Sequence, residues 1–265
     1  MPVGCGSRIR LVDQIGAGAS ATVWRAWDRR SRRYVAAKLT THSGWDPRLT
    51  LRHPHVLTPT EWLDHHGVTV ALLPLVRGGT ADRLLAEQGA LPASYVAVLL
   101  DQLLDALSAL HAAGFVHRDV KPANLLLEPT GRCRPHLWLG DLDVATRTGE
   151  SATVAGTPGY AAPEIEPGTS TAPGHDLYAS GIAAAELLTG RVPRTDRDLP
   201  RGPLHALLRA LTADEPAARP TSAAAARAHL RDLATGAGGW PDVPDRMRPL
   251  TLLERRRLQG VRAAQ

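Results

Sequence analysis

The chain has 265 residues, 43% hydrophobic and 22% charged, which is enough for one large domain or two packed lobes with a sizeable core. Its net charge of +5 is modest and spread along the chain, and no basic tract is interleaved with aromatics. That reads as a solvated arginine-rich surface rather than a nucleic-acid face. Cys5 and Cys133 lie far apart without metal-ligand spacing and are expected as reduced thiols. No apolar run approaches the ~20 residues that span a bilayer, and the N-terminus lacks a signal-peptide core. The expectation is therefore a cytoplasmic protein with no membrane partner.

In chain order, "RLVDQIGAGASATVWRAWD" reads as strand, Gly-rich turn and strand, "RRYVAAKLT" as a third strand and "GVTVALLPL" as another. From Ser94 the period changes. Val96, Leu99, Leu100, Leu103, Leu107 and Leu110 recur at helical spacing, and Gly114 closes that helix. "NLLLE" and "PHLWLGD" read as short strands around a turn. "DLYASGIAAAELLTG" is a predicted helix ending at Gly190, and "PLHALLRAL" and "TSAAAARAHLRDLATG" are two more, the last capped by Thr221 or Ser222. "GAGGWPDVPDRMRPL" reads as a Gly/Pro linker. A short basic tail follows, in which Leu252, Leu253, Leu258 and Val261 form an apolar helical face. A small β-rich lobe thus precedes a larger helical one, an α+β arrangement.

Composition supplies a filter for function. Of the 31 lysine and arginine residues only two are lysine, Lys38 and Lys121, and Asn124 is the sole asparagine. Where arginine serves, arginine is found, so a surviving lysine marks a place where the wider planar guanidinium does not fit. Gly16 and Gly18 in "IGAGASATV" let backbone N–H groups approach phosphates closely. A ligand-free Gly-rich hairpin fits that stretch equally well. Ala21 stands at the third position of a G-x-G-x-x-G pattern, and a strand rather than a helix follows, so this is no dinucleotide fingerprint.

"HRDVKPAN" is more specific. His117, Arg118 and Asp119, then Lys121 and Asn124, then Asp141 in "LGDLDVA" and "GTPGYAAPE" from Gly156 to Glu164 resemble the bacterial eukaryotic-like (Hanks-type) serine/threonine protein kinases. The resemblance runs in the correct order over roughly residues 8–235. It implies a bilobal kinase fold with a small lobe at about 8–73, a large lobe at about 74–235, and residues 236–265 outside it. It also implies ATP as phosphoryl donor, with Mg2+ or in its place Mn2+. Asp119 is then the catalytic base, Asn124 and Asp141 the metal ligands, Lys38 the holder of the α- and β-phosphates, and Lys121 the neighbour of the γ-phosphate. The ATP-binding set is Ile15, Gly16, Ala17, Gly18, Ala19, Ser20, Ala21, Val23, Ala36, Lys38, Leu73, Pro74, Leu75, Val76 and Leu126, with Leu73 as gatekeeper and Pro74–Val76 as hinge. Thr157 orients Asp119 and the substrate, Asp176 braces the HRD backbone, and Glu164 pairs with Arg219. Thr153, Ser151 and Thr148 are candidate phosphosites, with Arg118 as receiver of the phosphate. "KPAN" is the serine/threonine form of the loop, so a protein hydroxyl is the expected acceptor, with input from an activating partner or self-association.

Two departures stand out. Only fourteen residues separate Lys38 from "HPHVL", and they contain no Glu to pair with that lysine; Asp46 is the only acid there, and Glu61 is expected on the next strand, outside the site. "DLD" replaces D-F-G, and Asp143 resists a backbone flip that glycine permits. These departures keep a pseudokinase or nucleotide-binding scaffold as the alternative. A small-molecule phosphotransferase of the aminoglycoside type shares the acid logic but has no use for "GTPGYAAPE".

Overall fold

The computed structural model describes residues 8–18, 21–41, 46, 49, 51–65, 67–151, 156–230, 240–247, 249–250 and 254. Contacts divide the chain into two compact units, one of Met1–Ser43, Thr58–Val76 and Arg246–Gln265, the other of Gly44–Leu57 and Arg77–Asp245.

The smaller unit is built on a five-stranded antiparallel sheet. Its strands are β1 (Ile9–Ala17), β2 (Ala21–Asp28), β3 (Arg33–Thr40), β4 (Glu61–His65) and β5 (Val68–Pro74), in the order β1-β2-β3-β5-β4. Alternation sorts the side chains onto two faces. Ile9, Leu11, Ala26, Ala37, Val70 and Leu72 cluster on one face, with Trp24, Val35, Leu39, Leu63 and Val68 packed against them. Val23, Ala36, Lys38 and Leu73 fall on the other, since Val23 pairs with Lys38 and Ala36 with Leu73. At the edge of the apolar face Arg8 grips both oxygens of Asp28 and of Glu61. Those hydrogen bonds hold both carboxyls below their ordinary range. Glu61 is therefore committed to Arg8 and sits on β4. Among the described residues no helix lies between β3 and β4.

The larger unit packs around α2 (Ala93–Ala112), whose Tyr95, Val96, Leu99, Leu103, Leu107 and Leu110 are buried. By length and composition alone α2 could cross a bilayer, but 67% of its apolar window is buried within the chain, the pattern of a core helix. Before it comes α1 (Ala81–Gln88), which the sequence reading left out. After it come β6 (Phe115–Val116), β7 (Leu125–Leu127), β8 (Leu137–Leu139), β9 (Thr146–Arg147), α3 (Pro173–Thr189), α4 (His205–Leu211) and α5 (Ala223–Ala228). β7 pairs with β8 and β6 with β9. Gly190 ends α3 in the left-handed region at φ 80°, its N–H bonding Glu186 O at 2.7 Å. Of the two candidate caps for α5, Ser222 is the one used, its Oγ accepting from Ala225 N. The last helix was expected to run to residue 236; it is helical to Ala228, and residues 231–239 lie outside those described.

Candidate active site

The loop between β6 and β7 carries His117 to Asn124, and buried anchors fix its shape. Asp176, at the start of α3 and fully buried, accepts from the backbone N–H of His117 and of Arg118, each at 2.8 Å. His111 Nε2 lies 2.8 Å from the same carboxylate. Burial by itself would raise the Asp176 carboxyl, but the His111 contact and the backbone donors hold it below its ordinary range. These bonds hold Arg118 at φ 71°, a conformation a non-glycine residue adopts only when its surroundings impose it. His117 is wholly buried and contacts Gly140 O through Nε2 at 2.9 Å, tying this loop to the one that carries Asp141.

The functional side chains then converge on Asp119. Thr157 Oγ donates to Asp119 Oδ1 at 2.8 Å. Asp119 Oδ2 takes Lys121 Nζ at 2.8 Å and Asn124 Nδ2 at 2.9 Å. Lys121 Nζ also donates to Thr157 Oγ at 2.6 Å, and Asn124 Nδ2 to Asp119 O at 2.8 Å. Half-burial pushes the Asp119 carboxyl up, yet Lys121, Thr157 and Asn124 together hold it below the usual carboxylate range. It is an ionised acceptor, fixed in orientation at neutral pH.

Asn124 and Asp141 are brought together by the β7–β8 pairing. Leu125 pairs with Leu139, and Gly140 N donates to Asn124 O at 2.9 Å. A Cβ on Gly140 would stand 2.5 Å from Leu126 Cδ1, so a larger residue there would turn the Leu126 side chain aside. With its Nδ2 given to Asp119, Asn124 presents its Oδ1. Asp141 is exposed, at φ 61°. Two hard oxygen donors fit a Mg2+ that takes its other ligands from phosphates and water. Among the described residues no cluster of three His, Cys, Asp or Glu forms a self-sufficient metal site. Asp143 is not among the residues of positive φ, so aspartate in place of glycine carries no backbone strain here.

Of the residues expected to handle nucleotide in the smaller unit, Val23, Ala36, Lys38 and Leu73 share one face of its sheet. Gly16, Val23, Lys38 and Ala71 form a cross-strand row, and a Cβ on Gly16 would lie 3.5 Å from Val23 Cβ. Gly18 N closes the β1–β2 turn onto Ala21 O at 2.9 Å. Ile15 and Ala17 are exposed on β1; Ala19 and Ser20 lie outside the described residues. Leu73 and Pro74 end β5, followed by Leu75 and the buried Val76. Leu126 belongs to the larger unit, on β7 opposite Trp138.

Of the candidate phosphosites, Thr148 and Ser151 are exposed, Ser151 Oγ donating to Gly168 O at 3.0 Å, and Thr153 lies outside the described residues. Arg118 Nη1 donates to Thr146 Oγ at 2.9 Å on the same segment. Arg219, nearly sealed from solvent, forms a two-pronged pair with Glu164 at 2.6 and 2.7 Å. The sequence reading missed His111 as a second support of Asp176; its only signal was a histidine in the last turn of α2, one turn before the HRD loop.

This arrangement is that of the protein kinases, and residues 9–202 match the protein kinase domain family. The chain belongs to that family. It is 34% identical over 220 residues to the serine/threonine-protein kinase PkaA of Streptomyces coelicolor, covering 71% of this chain and 40% of that protein. With the serine/threonine-protein kinase PknA of Mycobacterium tuberculosis it shares 32% over 205 residues, covering 70% and 48%. With PknL of the same organism it shares 29% over 221 residues, covering 74% and 55%. The chain spans about half the length of the curated relatives it matches.

Proposed function

We propose that this chain transfers the γ-phosphoryl group of ATP to serine or threonine hydroxyls of protein substrates. The observation that carries the reading is the set of three donors on Asp119. A carboxylate held ionised and aimed by Thr157, Lys121 and Asn124 can accept the proton of a substrate hydroxyl as its oxygen attacks the γ-phosphorus. The new O–P bond forms as the β–γ bridging P–O bond breaks, and ADP leaves with that electron pair. Lys121, already beside Asp119, is placed to accompany the negative charge of the transferred group. Asn124 Oδ1 and Asp141 would hold a divalent cation, generally Mg2+ in this family, which supplies neutralisation of the phosphate charge. Lys38 would hold the α- and β-phosphates, and Leu73 to Val76 the adenine edge. The Gly156–Glu164 segment, pinned by Glu164–Arg219 and by Thr157, supports a polypeptide acceptor rather than a small molecule.

The intact Asp119 network, the oxygen pair at Asn124 and Asp141 and the strain-free Asp143 all weigh against a pseudokinase. Incubation with radiolabelled ATP, Mg2+ and a generic protein acceptor, alongside a nucleotide thermal shift, tests the reading. Label on serine or threonine is the expected result. A nucleotide-dependent shift without transfer makes the chain a pseudokinase, and transfer only to small molecules makes it a metabolite phosphotransferase. An activating partner or self-association is the proposed source of input.

A further inference from the structure

Away from the active site, three histidines gather at one seam of the larger unit. His53 and His55 lie on the loop that leads into Thr58, and His136 stands immediately before β8. The ring centroids of His53 and His55 are 5.9 Å apart, and those of His55 and His136 are 4.8 Å apart. The backbone stitches the same loop to β8. Leu139 N donates to His55 O and Leu57 N to Leu139 O, each at 2.8 Å, with the buried Val56 between them.

The partners fix the tautomer of each ring. His55 Nδ1 lies 2.8 Å from Leu137 O, and His136 Nε2 lies 3.0 Å from Pro54 O. A carbonyl only accepts, so each of these nitrogens carries a hydrogen. His53 Nδ1 accepts from the backbone N–H of His55 at 3.2 Å, so its hydrogen is on Nε2, 3.5 Å from Asp105 Oδ2 on α2. The set is complete with three neutral rings. A proton added to His53 lands on Nδ1 and faces the His55 N–H, donor against donor. A proton added to His55 or His136 sets a charged ring beside another histidine. Asp105 is the carboxylate against the cluster, and its other oxygen is held by Arg227 of α5, which also bonds Asp101 at 2.8 Å. On the β8 side Trp138 stands edge-on to His136, and its Nε1 donates to Glu128 Oε1 at 2.9 Å. Arg52 and Arg134, adjoining in sequence, are exposed. Burial pushes His55 below the ordinary histidine value; His136 and His53 add to that, and Asp105 opposes it.

We propose that His53, His55 and His136 form a proton-operated latch, closed on β8 while the three rings are neutral and opened by proton uptake. Protonation takes the acceptor from the His55 N–H and sets like charges side by side, and both costs are relieved when residues 53–57 leave the strand. The start of β8 has an anchor that does not titrate. Gln102 of α2 accepts from Leu137 N at 2.7 Å and donates to Pro135 O at 2.9 Å, so β8 stays on α2 while the loop lets go. Leu139 is two residues before Asp141, so the latch bears on the strand that delivers that carboxylate. It gives the chain between β3 and β4 an acid-sensitive hold on the larger unit.

Amide exchange of the full-length protein, read residue by residue by NMR and corrected for the intrinsic pH dependence of exchange, tests this without ATP. A failed kinase assay therefore leaves it standing, and its failure leaves the kinase reading standing. Between pH 6.5 and 5.5, protection at Leu57 and Leu139 is expected to fall about tenfold, the linkage slope for one proton taken up on opening. Leu137, held by Gln102, and the buried turns of α2 are expected to change less. The triple variant His53→Asn/His55→Asn/His136→Gln keeps an amide donor or acceptor near each lost ring nitrogen and removes the titrating groups. Its protection is expected to stay level over the same range. His136→Gln alone, a half-buried change that spares the fold, is expected to lessen the fall. Level protection in the wild type, an equal fall at Leu137 and α2, or a fall in either variant as large as in the wild type overturns the latch.

Discussion

The Thr157 hydroxyl donates to one oxygen of Asp119 while accepting from Lys121, whose ammonium also holds the other oxygen. The triangle fixes a carboxylate by two residues, of which Thr157 comes from a segment 38 residues away in sequence. It ties Asp119 to the segment that runs from Gly156 to Glu164.

Asp119→Asn should abolish transfer yet keep the nucleotide thermal shift, because the side chain acts on the hydroxyl and not on ATP. A loss of about 10²–10⁴ in kcat is the scale of a positioned general base. Thr157→Ala should lose kcat by a smaller factor, and Thr157→Ser should recover it, since serine keeps the hydroxyl. Loss of nucleotide affinity in Asp119→Asn would contradict the assignment.

Lys38→Arg should weaken ATP binding and transfer together, because the guanidinium fork is wider than the ammonium it replaces on the same strand. Asn124→Asp should shift the requirement for divalent cation, because it adds a carboxylate to an oxygen pair and beside Asp119. Titrating activity against Mg2+ and Mn2+ checks this. Wild-type metal dependence in Asn124→Asp would remove Asn124 from the metal site.

Much of this was legible because the signals are local. The HRD loop and "GTPGYAAPE" carry their residue types at short fixed spacings. The strands showed through alternation, and α2 through a helical period over twenty residues. Where partners are distant, the sequence is mute. Val243 is one apolar residue in a Gly/Pro stretch that reads as a linker, and only its ladder rung to Gly131 places it on the larger unit. Helix α1 is eight residues long, too short for its period to stand out. The "DLD" sequence reads as strained until the backbone puts the left-handed residue at Asp141 rather than at Asp143.

Stability should fall in two steps on acidification. Burial depresses His55 and His175 below the ordinary histidine value. The folded chain thus binds fewer protons than the unfolded one below about pH 6.5, and stability is lost as pH drops through that region. Asp176 and Glu164 are depressed in spite of burial, by His111 and backbone donors in one case and by Arg219 in the other. Their contribution is complete above about pH 5 and is lost progressively below it. Urea melts at pH 7.5, 5.5 and 3.5 should rank in that order, and His55→Asn should flatten the first step. Equal midpoints at pH 7.5 and 5.5 would contradict the histidine step.

Arg219→Ala should be among the most destabilising single changes. It strips the partner from Glu164 and vacates a guanidinium that also serves Ala213 O, Gly174 O and Asp214 O. Breaking a buried pair from one side costs about 3–5 kcal/mol, because the remaining charge is left uncompensated. Arg219→Lys should recover little, since an ammonium cannot span both carboxylate oxygens and three carbonyls. A melting temperature within experimental error of wild type in Arg219→Ala would show that the pair is not a structural tie.

Asp143→Gly tests the second departure from the family pattern. Glycine at that position widens the backbone states open to the unfolded chain, and the native φ at residue 143 gives no return for it. The substitution should therefore lower stability by about 0.4–1 kcal/mol. It should also loosen the Asp141–Ala145 turn, which is closed by Ala145 N on Leu142 O at 3.1 Å, with Leu142 buried beneath it. Exchange at Leu142 to Ala145 should rise, and turnover should stay at or below wild type, because Asp141 gains freedom away from the position it now holds. Faster turnover with unchanged stability would mean that Asp143 restrains the enzyme, and that its carboxylate rather than its backbone accounts for its presence beside Asp141.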